Sequence, residues 1–337
     1  MSDPRRRRPT MLDVAAKAGV SRASVSLAFR GEPGVGDETR QRIFDVATEI
    51  GYVRDEGARG LRAANPTNVG VCFDTRQPFQ LELVDGLYRA MADSMSQLVL
   101  SGRSEDRSER EAIDSLVAFR SGVLVLISSL MSESKLVELA QRVPVISVGR
   151  QVRASEIPWV ASDDLAGMTA AVGHLKDLGH RDVIYLSSPT APAGRDRERA
   201  FRSAAATHGL EDQVRIMHGG MTEHAGAVVA EELLGADRLP TAIIGFNDRC
   251  ALGLLEVFLR RGIKVPDDVS IVGIDDSEIA SRTSVSMTSI RQDPARLAQL
   301  AFERAQDLLD GAVGRSVPRG TLVPTSLTIR ETTAPAR

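Results

Sequence analysis

From Thr67 onward the chain repeats one pattern: a short run of consecutive apolar residues, then a longer stretch with apolar residues three and four apart. An uninterrupted short apolar run suits a strand buried on both faces, and the 3.6-residue period suits a helix covering it. The pattern predicts strands at Val69–Phe73, Gln97–Ser101, Gly122–Ile127 and Val145–Val148, with helices at Val84–Ser94, Glu109–Phe119 and Lys135–Gln141 between them. The alternation then restarts. Helices at Leu165–Leu178, Arg195–His208, Glu223–Leu234, Cys250–Arg261 and Leu297–Leu309 interleave with strands at Val183–Leu186, Gln213–Met217, Ala242–Gly245, Ser270–Gly273, Ser289–Gln292 and Ser326–Arg330. Strand–helix alternation builds parallel sheets covered on both faces. Two such rounds predict two doubly wound α/β lobes of similar size with a cleft between them, where ligands sit beyond the carboxyl ends of strands.

The first sixty residues do not share this pattern. In the stretch from Thr10 to Gly31, Leu12, Val14, Ala15 and Ala18 are spaced for one helix face, and Gly19 can end that helix at positive φ. Ser21 is suited to cap a second helix, which turns Val25 and Ala28 inward and leaves Arg22, Ala23, Ser24 and Ser26 outside. This fits a helix-turn-helix, whose second helix enters the DNA major groove, and it also fits an ordinary helical hairpin with a solvated face. A third amphipathic helix, Asp37–Ile50, supplies Ile43, Val46, Ala47 and Ile50 as the remaining wall of a small core, with Thr39 and Arg40 in its first turn, where helix N-termini favour phosphate. A short helix from about Asp55 to Arg62 follows, weakened by Gly57 and Gly60, each worth about 1 kcal/mol against Ala. Such a segment gains order on docking, as a hinge requires.

Composition narrows the partners. Residues 1–65 carry 12 Lys and Arg against 9 Asp and Glu, and the remainder 30 against 36, within the 42 and 45 of the whole chain. A basic block on an acidic body fits a nucleic-acid module joined to one that does not bind nucleic acid. Arg5 to Arg8 either add phosphate contacts or form a solubilising tail. No apolar segment follows them and no run approaches the roughly 18–20 residues of a membrane helix, so neither a secretory signal nor a membrane partner is expected and a cytoplasmic location is. Cys72 and Cys250 have no CxxC or Cys/His partner, which suits buried thiols in a reducing compartment.

Several motifs in order resemble the LacI family of bacterial transcription regulators, over about Thr10 to Pro335: Asp13-Val14-Ala15, Ala18-Gly19-Val20-Ser21 and Ser24-Val25-Ser26; Thr39-Arg40; Gly51-Tyr52 and Ala58-Arg59-Gly60-Leu61-Arg62; Leu178 to Ile184; Arg197-Glu198-Arg199-Ala200-Phe201; Phe246 to Gly253; Val265 to Asp276; and Leu327 to Glu331. The resemblance implies a helix-turn-helix domain at 1–54, a hinge helix and linker at 55–66, and a periplasmic-binding-protein-like effector and dimerisation domain at 67–337. It puts one lobe at about 67–161 and 292–324 and the other at about 162–291 and 325–337. It further implies a homodimer, or a dimer of dimers, on a near-palindromic operator. Leu61 then acts either as a minor-groove wedge or as a linker residue packed on the core, beside Ala58. Arg22 and Ala23 take the base-selecting positions, Arg22 toward guanine O6 and N7 or toward a phosphate, and Thr10, Ser21, Ser24, Ser26, Thr39 and Tyr52 position the DNA backbone. Leu27 stands where the family commonly has an arginine and Arg30 where it commonly has an asparagine, so the operator is expected to depart from the usual sequence.

For the effector, most simply a sugar or sugar derivative, the family positions fall on Phe79, Gln80, Arg150, Arg197, Asn247, Asp275 and Gln292. Arg, Asp and Asn groups match adjacent hydroxyls, and Phe79 or Trp159 can cover a ring face. Each residue taken singly also fits an ordinary salt bridge or surface position. Gly149 replaces an acidic residue common before the arginine. Two other functions compete. A transporter's solute-binding protein shares the two-lobed fold but has a signal peptide and no amino-terminal helical block. An α/β enzyme needs a catalytic signature, and none of G-x-x-x-x-G-K-[ST], G-x-S-x-G, H-E-x-x-H or G-x-G-x-x-G after a strand occurs. His174, His180, His208, His218 and His224 lack metal spacing, and the Asp pairs at 163–164, 267–268 and 275–276 are read as loop-end caps. No enzymatic activity, cofactor or metal is expected.

Overall fold

The structure, a computed structural model, describes residues 9–52, 67–311 and 319–337. The expected hinge helix at 55–62, with Ala58 and Leu61, lies outside the described residues. The chain divides into two compact units, residues 1–63 and 64–337.

The amino-terminal unit holds helices α1 (Met11–Ala18), α2 (Arg22–Arg30) and α3 (Asp37–Glu49). Val14, Ala15, Ala18, Val25, Ala28, Ile43 and Ala47 form its core. Leu12 does not join them as its spacing suggested; it is 61% exposed, and Met11, one position earlier, packs on the core instead. A helix advances about 100° per residue, so one position decides which face a side chain takes. Gly19, at φ +67°, ends α1, and the Ser21 hydroxyl accepts from Ser24 N at 3.0 Å to begin α2. Phe29 meets Phe44 edge-on at 5.3 Å and Tyr52 at 5.6 Å between ring centroids, closing the far side of the small core.

The larger unit contains two six-stranded sheets. The first has the order β11-β5-β4-β3-β1-β2, all parallel, from β1 (Val69–Asp74), β2 (Leu98–Arg103), β3 (Val123–Ile127), β4 (Val145–Val148), β5 (Trp159–Ser162) and β11 (Gly320–Val323). The second has the order β12-β10-β9-β8-β6-β7, from β6 (Val183–Ser187), β7 (Val214–His218), β8 (Ala242–Ile244), β9 (Ser270–Asp275), β10 (Thr288–Arg291) and β12 (Ser326–Thr328). Within it β12 runs antiparallel to β10. The chain therefore passes from sheet to sheet after β5, after β10 and after β11.

Side-chain alternation along the strands feeds two apolar layers. On the first sheet Val69, Val71 and Phe73 meet α4 (Pro78–Ala90) and α12 (Pro294–Leu309), while Cys72, Leu124 and Leu126 meet α5 (Glu109–Ala118) and α6 (Glu133–Ala140). The second lobe packs α7 (Asp164–Asp177), α8 (Gly194–Thr207), α9 (Glu223–Leu234) and α10 (Asp248–Arg260) around β6 to β10. A short α11 (Glu278–Ser281) follows β9. α9 and α10 touch backbone to backbone: a Cβ on Gly226 would lie 2.0 Å from Cys250 O, and one on Gly253 1.9 Å from Glu223 O.

Three elements have weak sequence signals: β5, β11 and α11. Two helices begin three or more residues earlier than their periodicity indicates, α4 at Pro78 and α12 at Pro294. In each case proline occupies the first turn, where its missing N–H costs nothing. Phe79 and Gln80 accordingly stand in a helical first turn, not in a loop. Among the described residues no helix is long and apolar enough to cross a membrane.

Candidate functional sites

In the amino-terminal unit Ser21, Arg22 and Ala23 are exposed at the start of α2. No acidic residue lies in that first turn, so the positive end of the helix is not neutralised by its own side chains. Ser24, Ser26 and Leu27 are half-buried, Leu27 against the Gly34 loop, and Arg30 is the last residue of α2. Thr10 is engaged by α1 itself, since the Asp13 carboxylate accepts from its N–H and its hydroxyl at 2.7 Å. Thr39 shares the first turn of α3 with Asp37 and Glu38, so that turn is less suited to phosphate than Thr39 and Arg40 alone suggest, and Arg40 donates to Glu32 O at 3.0 Å.

In the larger unit strand ends of both sheets converge on one cavity, with about 550 Å³ of empty space including its open mouth. Arg103 at the end of β2, Ser128 after β3 and Gly149 after β4 line one side, with Gln77, Phe79 and Gln80 from the β1–α4 junction. The other side carries Ala191 to Ala193, Arg197 on α8, Met221, Phe246, Asn247 and Asp275 at the end of β9, and Gln292 follows β10. The cavity has apolar ring faces in Phe79 and Phe246 and polar groups of both hydrogen-bonding senses.

Arg197 is the hub. Its Nη1 donates to Phe246 O at 2.7 Å, its Nε to Asp164 at 3.2 Å, and its Nη2 lies 3.6 Å from Asp275. The guanidinium carbon sits 5.0 Å from the Phe246 ring centroid. Asp275 accepts from Gln292 Nε2 at 2.6 Å, and the Gln292 Oε1 accepts a short bond from Ser162 at the end of β5. Through Gln292 the network joins the two sheets. Asn247 caps α10 by accepting from Cys250 N at 2.9 Å and reaches Gln77 across the cleft at 3.4 Å. Gln80 accepts from Asp74 N at 2.7 Å.

Burial dominates the acids here. It pushes Asp275 up to about 8 against the pull of Arg197, with the nearby Asp248 charge adding to the rise. Asp248, held by the Ser289 and Ser277 hydroxyls and Ser277 N, is raised by burial to about 6. Burial also raises Asp164, although Arg197 opposes it. Asp74 goes the other way: burial alone would raise it, but the Arg76 hydrogen bonds and the Arg103 charge leave it below the usual carboxylate range. Asp275 adopts φ +119°, a conformation costing on the order of 1–3 kcal/mol that is tolerated where the surroundings fix it.

Six of the seven expected effector positions thus line one cavity: Phe79, Gln80, Arg197, Asn247, Asp275 and Gln292. Arg150 does not line it; its Nη1 donates to the carbonyls of Ser129 and Met131 at 3.1 and 2.6 Å, which turns it toward the loop after β3. Trp159 is also absent from the lining, because its indole lies over Gly320, where a Cβ would be 2.2 Å away. The capping explanation of the aspartate pairs holds for Asp163, which accepts from Ala166 N at 3.1 Å. It fails for Asp275 in the cavity and for Asp276, which pairs with Arg330 at 2.6 Å. Gln77, Arg103 and Met221 line the cavity without having been singled out. For Arg103 a signal existed, a charged residue closing an apolar strand at its carboxyl end. Among the described residues no group of acidic, His and Cys side chains could hold a metal.

Comparison with known proteins bears on the family and the fold. Residues 10–55 match the family described as bacterial regulatory proteins, lacI family, and residues 172–333 match the periplasmic binding protein-like domain. The HTH-type transcriptional regulator CelR of Thermobifida fusca is 32% identical, covering 97% of this chain and 99% of its own. A LacI transcriptional regulator from a Rhodococcus species, solved as a crystal structure, is 36% identical over 80% of this chain and 99% of that one, with a TM-score of 0.76. The solved complex of the regulator CelR with cellobiose is 27% identical, covers 96% of this chain and all of that one, and has a TM-score of 0.70.

Proposed function

The chain belongs to the lacI family of bacterial regulatory proteins, DNA-binding transcriptional regulators rather than enzymes, and from that premise we propose a homodimeric repressor whose hold on its operator changes when a carbohydrate occupies the cleft. In this reading α2 enters the major groove. Arg22 reads guanine, Ala23 leaves room at the neighbouring base edge, and Ser21, Ser24, Ser26, Thr39, Tyr52 and Thr10 hold the DNA backbone. Leu27 and Arg30 set the departure of the operator from the family's usual sequence. Residues 55–66 act as the hinge, with Ala58 beside a Leu61 wedge in the minor groove.

The observation that carries the effector reading is the chain of bonds from Asp164 through Arg197, Asp275 and Gln292 to Ser162. Arg197, Asp275 and Gln292 of this chain line the cleft, Arg197 over the Phe246 ring, and the bond to Ser162 joins both sheets. Such a wall offers donors and acceptors to adjacent hydroxyls and ring faces to a pyranose, and the cellobiose complex of CelR supports the same ligand class. A ligand replacing part of this network changes the relative stability of lobe arrangements and hence DNA affinity, and linkage makes the effect reciprocal. A thermal-shift screen of the full chain against a sugar panel tests this reading. The expected result is a sugar that raises the melting temperature of the wild type and does so much less in Arg197→Ala and Asp275→Ala. A sugar stabilising all three proteins equally would place its site elsewhere.

A further inference from the structure

We propose that the effector of this protein carries a carboxylate, and that Arg103 on the first-lobe wall of the cleft receives it. The inference rests on the reading of the cleft as the effector site. The two walls treat their arginines differently. On the second-lobe wall one guanidinium, Arg197, faces two carboxylates, Asp164 and Asp275. On the first-lobe wall the ratio is inverted, with one carboxylate, Asp74, shared by two guanidiniums. Asp74 lies within hydrogen-bond distance of Arg76, at 3.2 and 3.3 Å, whereas Arg103 Nη2 stands 3.7 Å from it.

Arg103 is thus the less well compensated cation, and it is the buried one, 5% exposed against a half-exposed Arg76 side chain. Among the described residues its hydrogen bond is a 3.2 Å contact from Nη2 to Ser128 O, and its buried Nε has no partner. A desolvated guanidinium with donors to spare is costly unless an acceptor arrives. Asp74 does not line the cavity, so Arg103 makes this corner cationic with no carboxylate in the lining beside it, unlike the opposite wall with its Asp275, Asn247 and Gln292. Hydroxyl groups suit the opposite wall and an anion suits this one. A carboxylate fits better than a phosphate, which usually draws on several backbone N–H groups. The nearest candidates are spent, Ser128 N on Val148 O and Gly149 N on Val160 O.

Calorimetric titration of the full chain with glucose and glucuronate, galactose and galacturonate, cellobiose, and glucose 6-phosphate tests the inference. A hexuronate is expected to bind at least about tenfold more tightly than its neutral parent. Arg103→Met should erase that preference, while Arg103→Lys keeps the preference at reduced affinity. The acid-against-neutral comparison in the wild type stands even if the methionine variant fails to fold. A neutral sugar that binds more tightly than every acid, or a hexuronate that binds equally well with and without Arg103, overturns the carboxylate and leaves the cleft reading intact. Preference for glucose 6-phosphate overturns it in favour of a phosphate. No heat with any of the six removes the cleft reading and this inference together.

Discussion

Arg197 and Asp275 show how one pair of residues serves both stability and recognition. Removing the arginine leaves two buried carboxylates without their cation, a loss typically of about 3–5 kcal/mol. Because Asp164 and Asp275, both raised by burial, can escape by taking protons, the cost of Arg197→Ala should be smaller at pH 5 than at pH 8. Urea unfolding at the two pH values measures it. Asp275 itself, raised from 3.8 to about 8, binds a proton in the folded chain over a range where the unfolded chain has lost it. Its contribution to stability therefore falls as pH rises from about 4 and levels off above about 8. Hydroxyl donors from a bound sugar favour the ionised form, so binding should release a proton and tighten from about pH 6 to about pH 9. Calorimetry in buffers of different ionisation heat reads that proton, and Asp275→Asn should abolish both the release and the slope.

At the scale of elements, local chemistry fixes where each helix begins and how closely two helices approach. The Ser21 cap on α2 predicts that Ser21→Ala destabilises the amino-terminal unit by about 1 kcal/mol, measurable by thermal unfolding of the full chain with a probe on that unit. The α9–α10 contact predicts more. A methyl group on Gly253 would meet Glu223 O, so Gly253→Ala should lower stability by about 1–3 kcal/mol in urea. This contact is not visible in a periodic pattern, since Gly253 reads there only as a weak helix residue. Long apolar runs such as Val123–Ile127, by contrast, are legible as strands because every residue in them is buried. β5 and β11 escape the pattern because each is four residues long and half-buried in part, with Trp159 at the edge of its layer. The late readings of α4 and α12 share one cause, a proline that looks like a breaker but occupies the first turn. Leu12 and Met11 show the limit of spacing in an eight-residue helix, where two adjacent faces fit almost equally well.

For the whole molecule, the division into a small helical unit and a two-sheet unit follows from a change of period near residue 67, and the cleft follows from strand ends that point the same way. The site was largely legible by family resemblance, which brought Phe79, Gln80, Arg197, Asn247, Asp275 and Gln292 to one cavity. It misplaced Arg150, whose carbonyl partners are remote in sequence and set by the fold. It did not single out Arg103, whose place at the end of a strand is legible but whose meaning depends on a carboxylate twenty-nine residues earlier being shared with Arg76. The reach of the resemblance does extend to the proposed hinge. Leu61→Ala should weaken operator binding by at least about tenfold while leaving the unfolding of the two-sheet unit unchanged, checked by gel shift and thermal melt.

The central claim is that a duplex-gripping unit answers to a sugar-sensing one. The most direct measurement is a fluorescence-anisotropy titration of the full chain, at one fixed salt concentration, on a promoter fragment from its own gene region and on a scrambled duplex, each with and without the sugar found by thermal shift. The account predicts binding to the promoter fragment at least about a thousandfold tighter than to the scrambled duplex, and a change of about fivefold or more in the former when the sugar is added. Equal affinity for the two duplexes, unmoved by the sugar, would contradict it.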